Sequence, residues 1–288
     1  MFADAIQKVN KYTKAIHSIS RVAGLDKVQA GAATLFMINE EGWAFSCKHV
    51  VQMLQQAEQI NNRYHSLKHN ELKNENPIFT LKNGLGNDGE LLQLKNSFID
   101  CVDSLTSFDC FLHPEFDLAL IHFKGFHRLL TTEFARFKRN LSQIRQGDFL
   151  CRLGYPFPEF TNFRYNQTTD DIEWTAEGKK GSPAFPLEGM ITRFVGNQHG
   201  QIHGIELSTP GLRGQSGGPL FDAKGLICGM QSRTKHLHLG FDLEEKEILS
   251  HGKKQKVNDY AFLHLGECVH VSVMKDFMRQ HHVKFYES

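Results

Sequence analysis

Ser216 lies among four glycines in the segment GLRGQSGGPLFD, which runs from Gly211 to Asp222. A serine hydroxyl is a poor nucleophile at neutral pH, so it needs a base beside it and a group that orients the base. Glycine lacks a Cβ and lets the backbone bend sharply, so the N–H groups of Gly214 and Ser216 can converge on a negatively charged oxygen. The segment therefore predicts a nucleophilic serine with a backbone oxyanion hole.

One hydrolase architecture can be excluded from the residues that follow the serine. Residues 214–218 match the G-x-S-x-G nucleophile elbow of α/β-hydrolases, which requires a strand before the serine and a helix directly after it. Gly217, Gly218 and Pro219 make a poor first helical turn, and a strand-like LFD run comes next. The chain also lacks the alternating strands and helices of a parallel sheet. The other hydrolase architecture that can use this segment has its histidine and aspartate upstream of the serine.

Three motifs stand in the order histidine, aspartate, serine. They are GAATLFMINEEGWAFSCKHVV (31–51), FDLALIHF (116–123) and GQSGGPLFD (214–222). Together they resemble the trypsin-like (chymotrypsin-fold) serine protease family, nearest its cytosolic and HtrA-like branch without a PDZ domain. The resemblance covers roughly residues 30–283 and identifies His49, Asp117 and Ser216 as the catalytic triad.

The resemblance implies a serine endopeptidase that hydrolyses peptide bonds in a polypeptide substrate. His49 would take the proton of Ser216 during attack and pass it to the leaving amine, while Asp117 would fix the tautomer of the imidazole. The N–H groups of Gly214 and Ser216 would bind the oxyanion. This chemistry requires neither a cofactor nor a metal ion, and we expect none.

The resemblance also implies which residues bind the substrate. They are Pro210, Met230, Gln231 and Ser232. The last three would form a strand edge to which the substrate adds as a further strand. Pro210 stands where a family member that cleaves after a basic residue carries an aspartate, so we expect the pocket to accept a small or apolar side chain.

Gln215 departs from the family pattern. Family members that are activated by cleavage of a propeptide carry an aspartate at this position, which pairs with the new terminal amine. An uncharged glutamine cannot make that ion pair, so the sequence predicts an enzyme that is active without such cleavage.

Two other functions remain open at this point. The first is a catalytically silent binding or scaffold protein that keeps the fold, and the second is an esterase that uses the same three residues. The sixteen histidines also suggest metal binding, especially at His236, His238, His281 and His282. Because a zinc site needs about four ligands at fixed spacing and no second cluster completes one, we interpret them as surface or loop histidines.

The sequence predicts that the elements positioning these residues belong to an all-β protein. Short apolar runs bounded by glycine, proline or aspartate predict two six-stranded antiparallel β-barrels with an added N-terminal helix and a C-terminal helix. Ile6, Val9, Ile16 and Ile19 recur at helical spacing and support the N-terminal helix. The predicted division is a helical extension at 1–24, a first barrel at 25–130, a linker at 131–148, a second barrel at 149–270 and a helix at 271–288. Within the first barrel we expect a helix and loop over 52–76 and strands near 78–82, 90–94, 97–103 and 117–123.

The composition indicates which binding partners and which cellular compartment to expect. The 288 residues carry a net charge of +1, which gives no electrostatic reason to expect nucleic acid or a membrane as the main partner. The six cysteines form no C-x-x-C pair, and the N-terminus lacks the pattern of a signal peptide, so we expect free thiols and a cytoplasmic location. The oligomeric state does not follow from the sequence.

Overall fold

The computed structural model describes residues 2–25, 27–71, 89–250 and 252–288. In these ranges the helices are α1 (Ala3–Asn10), α2 (Lys48–Glu71) and α3 (Val271–Gln280), with a 3₁₀ helix at Leu141–Gln143. The strands are β1 (Thr13–Val22), β2 (Gln29–Met37), β3 (Trp43–Ser46), β4 (Leu91–Phe98), β5 (Ser107–Leu112), β6 (Ala119–Lys124), β7 (Arg136–Phe137), β8 (Phe149–Gly154), β9 (Phe163–Asn166), β10 (Asp171–Trp174), β11 (Phe185–Gly196), β12 (Ile202–Leu207), β13 (Pro219–Phe221), β14 (Ile227–Ser250), β15 (Lys253–His270) and β16 (Tyr286–Glu287). The all-β prediction is confirmed.

The first sheet is an antiparallel half-barrel of six strands in the order β4-β1-β2-β3-β6-β5. Most of its β2–β3 hairpin lies within the motif at residues 31–51. The side chain of Asn39 accepts hydrogen bonds from the N–H groups of Glu41 and Trp43, and Gly42 takes a φ of +84° in the turn. This turn fixes the register of β3, and β3 leads directly into α2.

The second sheet closes into a ring of six strands. Its order is β13-β8-β11-β12-β15-β14, and a further pairing of β13 with β14 completes the ring. β7 and β16 extend the sheet beside β14 in parallel pairings. A separate two-stranded sheet, β9–β10, was not expected from the sequence. Buried side chains from both sheets form one hydrophobic core, in which Phe45 of β3 contacts Phe137 of β7.

The predicted N-terminal helix was wrong beyond Asn10. Residues 13–22 form β1, which is paired on both sides, with β2 and with β4. Ile16 and Ile19 therefore lie on a central strand, although their spacing of three residues also fits a helix. Their β-branched side chains favour a strand, and two flanking ladders outweigh a local helical periodicity.

The remaining local predictions have mixed outcomes. The helix of the 52–76 region is α2, whose described part ends at Glu71, and the strand predicted at 78–82 lies outside the described residues. The strand predicted at 90–94 is β4, which continues to Phe98, so the separate strand predicted at 97–103 was wrong. The C-terminal helix is confirmed as α3, and the division into domains stays a prediction. Within the described residues, no helix has the length and apolar character needed to cross a membrane.

His270 makes the stability of this fold sensitive to acid. Its Nδ1 accepts a hydrogen bond from the N–H of Ser272 at 3.2 Å and so caps α3, while burial, with the nearby charge of Lys275, lowers the pKa of His270 to about 4. In the unfolded chain a histidine binds its proton near pH 6.5. Between these two values the unfolded state binds more protons, so the free energy of unfolding falls as the pH is lowered.

We expect this one histidine to remove about 3 kcal/mol of stability between pH 7.5 and pH 4. Urea unfolding across that range checks the prediction in the wild type and in His270→Asn. Asparagine caps a helix through its side-chain oxygen and does not titrate. The variant should therefore lose less stability than the wild type on acidification, and an equal loss in both proteins would contradict the prediction.

Candidate active site

The ends of three strands bring His49, Asp117 and Ser216 to one region of the molecule. His49 lies in the first turn of α2, immediately after β3, and Asp117 lies just before β6. Because β3 and β6 are paired neighbours, the histidine and the aspartate meet at one end of the first sheet. Ser216 precedes β13 of the second sheet, and its carbonyl oxygen accepts a hydrogen bond from the N–H of Thr34 on β2.

His49 and Asp117 form a close hydrogen-bonded pair. Nδ1 of His49 lies 2.9 Å and 3.0 Å from the two carboxylate oxygens of Asp117, and the backbone N–H of His49 donates to the same carboxylate at 3.1 Å. The hydroxyl of Ser232 donates to it at 2.6 Å. Burial alone raises the pKa of Asp117, but the hydrogen bonds from His49 and Ser232 outweigh it and hold this pKa well below its usual range. The carboxylate is therefore ionised at neutral pH and fixes the orientation of the imidazole.

The hydroxyl of Ser216 points to a different acceptor. Its Oγ donates to the carbonyl oxygen of Ser232 at 3.2 Å, and within the described residues it makes no hydrogen bond to His49. Ser232 thus contacts both partners, through its carbonyl oxygen to Ser216 and through its hydroxyl to Asp117. The sequence had assigned Ser232 to substrate binding, and its contact with the aspartate was missed because nothing local in the motif indicates it.

The loop around Ser216 requires its glycines. Gly214 and Gly217 have φ values of +90° and +85°, a region that side chains other than glycine adopt rarely. A Cβ on Gly214 would lie 2.4 Å from the carbonyl oxygen of Tyr155, and one on Gly217 would lie 2.1 Å from the carbonyl oxygen of Thr34. Within the described residues, the N–H groups of Gly214 and Ser216 have no hydrogen-bond acceptor. The two predicted oxyanion donors thus have no intramolecular partner in the described part of the chain.

Two buried side chains hold this loop in place. The amide of Gln215 accepts from the N–H of Leu212 at 3.0 Å and donates to the carbonyl oxygen of Phe185 at 3.2 Å. The hydroxyl of Thr34 donates to the carbonyl oxygen of Gly214 at 2.7 Å and accepts from the N–H of Tyr155 at 3.1 Å. An uncharged residue at position 215 therefore anchors the loop without an ion pair to a terminal amine.

Thr34→Val is expected to lower the free energy of unfolding by about 1–3 kcal/mol. Valine keeps the shape of threonine, but it leaves the carbonyl of Gly214 and the N–H of Tyr155 without their partner. Urea unfolding checks the prediction, with Thr132→Val, at an exposed threonine, as the matched control. A loss no larger than that of the control would show that Thr34 does not hold the loop.

The structure limits which predicted substrate residues can offer a strand edge. Met230 is paired with Pro219 of β13 and with Val269 of β15, and the backbone of Gln231 bonds to Gly217 and Gly218. Neither of the two has a free edge, so the expectation of strand addition at Met230 and Gln231 is corrected. The free edge begins at Ser232, beyond the end of β13. The side chains of Met230 and Gln231 are also buried. The carbonyl oxygen of Pro210, the remaining predicted residue, accepts a hydrogen bond from Arg152.

One group of side chains in the described ranges has the spacing of metal ligands, namely Cys47, His49 and Asp117. The thiol of Cys47 donates to the carbonyl oxygen of Gln231 at 3.2 Å, and burial raises the pKa of this thiol well above its usual range. A metal needs the thiolate, and Nδ1 of His49 is already engaged by the aspartate. The donor set therefore fits the hydrogen-bonded arrangement better than a metal site.

The chain is similar to known proteins in both sequence and structure. The family model described as a trypsin-like peptidase domain matches residues 33–230, a range that contains His49, Asp117 and Ser216. Among solved structures, the chain is similar to the HtrA-type protease AlgW with a decapeptide, at 15% identity and a TM-score of 0.49, covering 97% of this chain and 66% of that chain. It is also similar to the same protease with a tripeptide, at 14% identity and a TM-score of 0.47, covering 97% of this chain and 62% of that one. No curated protein matches the chain. Because the family model spans more than half of the chain, the protein belongs to the trypsin-like peptidase domain family.

Proposed function

We propose that the protein is a serine endopeptidase in which His49, Asp117 and Ser216 hydrolyse peptide bonds of a polypeptide substrate. The observation that carries the proposal is the contact of 2.9 Å between Nδ1 of His49 and the carboxylate of Asp117, beside a serine loop with two free N–H groups. An ionised carboxylate on Nδ1 keeps the proton there, so Nε2 remains available as a base.

The reaction begins when Ser216 Oγ leaves the carbonyl of Ser232 and turns to Nε2 of His49. The oxygen attacks the carbonyl carbon of the substrate, its proton passes to Nε2, and the electron pair of the C=O bond moves to the carbonyl oxygen. The N–H groups of Gly214 and Ser216 then stabilise that oxyanion. When the C–N bond breaks, the leaving amine takes the proton from His49. Water repeats the sequence on the acyl-enzyme and regenerates the serine.

The catalytically silent alternative has one specific observation in its favour. The hydroxyl of Ser216 donates to Ser232 and not to His49, as it would in a protein whose serine is locked away from its base. Against this stand the orientation of the imidazole and the glycine-rich loop, which a protein that only binds does not need. Catalytic hydrogen bonds often tighten only when the substrate is bound.

A cleavage assay tests the proposal and separates it from its alternatives. The purified protein is incubated with an unfolded polypeptide, and mass spectrometry identifies the new termini. A parallel incubation with a simple ester detects an esterase. We expect cleavage within the polypeptide by the wild type and none by Ser216→Ala. Ester hydrolysis without peptide cleavage, or binding without turnover of either substrate, would overturn the endopeptidase function.

A further inference from the structure

A fully buried arginine lies beneath the serine loop. The guanidinium of Arg152, on β8, has no solvent exposure. Its Nη1 donates to Oε1 of Gln231 at 2.7 Å, and its Nη2 donates to the carbonyl oxygens of Thr209 and Pro210, both at 3.1 Å, and to the hydroxyl of Thr209 at 2.6 Å. The guanidinium thus bridges two chain segments, one before the serine loop and one after it.

In the described part of the chain, no anion balances the charge of Arg152. Within the described residues it forms no ion pair, and each of its hydrogen-bond partners is neutral. Its Nε–H is buried and has no acceptor among the residues that the structure describes. Burial also lowers the pKa of this arginine from its ordinary value. Buried cations are normally paired because desolvation of an unpaired charge is costly, so an unpaired one calls for an anionic ligand.

Two of the residues that accept hydrogen bonds from the guanidinium, Pro210 and Gln231, are residues predicted to bind the substrate. The segment before the serine faces the free edge of β14, where the hydroxyl of Thr234 donates to the carbonyl oxygen of Gly211 at 2.7 Å. Two nearby positions, Gly211 and Gly266, lack a side chain. A Cβ on Gly211 would lie 2.3 Å from Nε2 of Gln231, and one on Gly266 would lie 2.2 Å from Nη1 of Arg152. The amide of Gln231 and the guanidinium therefore fill the places that side chains at these two positions would need.

We propose that Arg152 determines specificity and that the protein cleaves after an acidic residue, whose carboxylate binds the guanidinium. The residue meant is P1, the one whose carbonyl carbon Ser216 attacks, so the proposal rests on the proposed function. It replaces the expectation of a small or apolar P1 side chain, which rested on Pro210 alone. The neutral amide oxygen of Gln231 occupies the place of a carboxylate oxygen, and the substrate takes its position.

The chemistry of the Arg152 guanidinium favours a carboxylate over other P1 side chains. A charge-assisted hydrogen bond is roughly twice as strong as a neutral one, and a guanidinium binds a carboxylate through two N–H groups. The free Nε–H offers a further donor. An apolar side chain would displace the amide of Gln231 and give Nη1 no acceptor, and a lysine or arginine would meet a like charge.

The test uses fluorogenic peptides of one sequence that differ only at P1, with Glu, Asp, Gln, Leu or Lys. We expect kcat/KM for the glutamyl or aspartyl peptide to exceed that for the isosteric glutaminyl peptide by about 100-fold. In Arg152→Met the ratio of acidic to glutaminyl peptide should fall to within about 3-fold. Arg128→Met, which removes an exposed arginine from the loop that follows β6, controls for the loss of one charge and should keep the ratio.

A second measurement does not depend on turnover or on a folded Arg152 variant. Ser216→Ala is titrated with the uncleaved glutamyl and glutaminyl peptides by calorimetry, and we expect the glutamyl peptide to bind about 10-fold more tightly. Equal cleavage and equal binding of the two would overturn the role of Arg152 and leave the peptidase function intact. Tighter binding of the glutamyl peptide, with no cleavage of any peptide by the wild type, would support Arg152 and overturn the proposed function.

Discussion

Ser216→Ala is expected to lower kcat for a peptide substrate by about 10⁶-fold, to a level set by the remaining oxyanion donors and by substrate binding. Alanine removes the nucleophile and leaves His49 without a proton to accept. The backbone N–H at position 216 stays, and the hydroxyl contributes one hydrogen bond, to the carbonyl of Ser232, so we expect the fold to be kept. Steady-state kinetics with a fluorogenic peptide measures the loss.

The matched control for this variant is Ser66→Ala, which removes an exposed hydroxyl from α2 far along the chain from the site. It should have the activity of the wild type. Circular dichroism on both variants separates a loss of chemistry from a loss of structure. A folded Ser216→Ala protein that retains more than about one hundredth of the wild-type kcat would show that another group attacks the substrate.

Asp117→Asn is expected to lower kcat by about 10⁴-fold. Asp117 accepts from Nδ1–H of His49, and an asparagine in its place can donate its own N–H to Nδ1. The imidazole would then carry its proton on Nε2, where it cannot accept the proton of Ser216. The loss therefore comes from the wrong tautomer, although every side chain remains near its place.

Two comparisons make this second prediction specific. Asp276→Asn changes an exposed carboxylate on α3 and should leave kcat unaltered. Ser232→Ala removes one hydrogen bond to Asp117 but leaves the carboxylate ionised, so we expect a loss of about 10-fold only. If Asp117→Asn were no more impaired than Ser232→Ala, the aspartate would not control the tautomer of His49.

The motifs predicted much of the site because each one combines a residue with its local backbone. The hairpin before His49, the strand that follows Asp117 and the glycines around Ser216 all lie within a few residues of the side chain that they position. Their strand and turn patterns could be recognised without knowledge of tertiary contacts. The C-terminal helix, α3, was also predicted correctly.

The parts that the sequence did not predict depend on contacts between distant segments. β1 was taken for a helix because its pairing with β2 and β4 cannot be read from its own residues. Thr34 holds the serine loop from a separation of 180 residues, and Ser232 contacts Asp117 from a separation of 115. Arg152 lies on a strand that looks like ordinary core, and the absence of an anion beside it is a property of the folded chain alone.

Labelling with a fluorophosphonate tests the catalytic role of Ser216 most directly, because such a probe forms a covalent bond only with an activated serine. The wild type, Ser216→Ala and His49→Ala are treated in parallel, and mass spectrometry of their peptides locates the adduct. The catalytic role of Ser216 predicts one adduct, on Ser216 of the folded wild type, with none on Ser216→Ala and strongly slowed labelling of His49→Ala. A folded wild-type protein that takes no label, or an adduct that persists in Ser216→Ala, would contradict it.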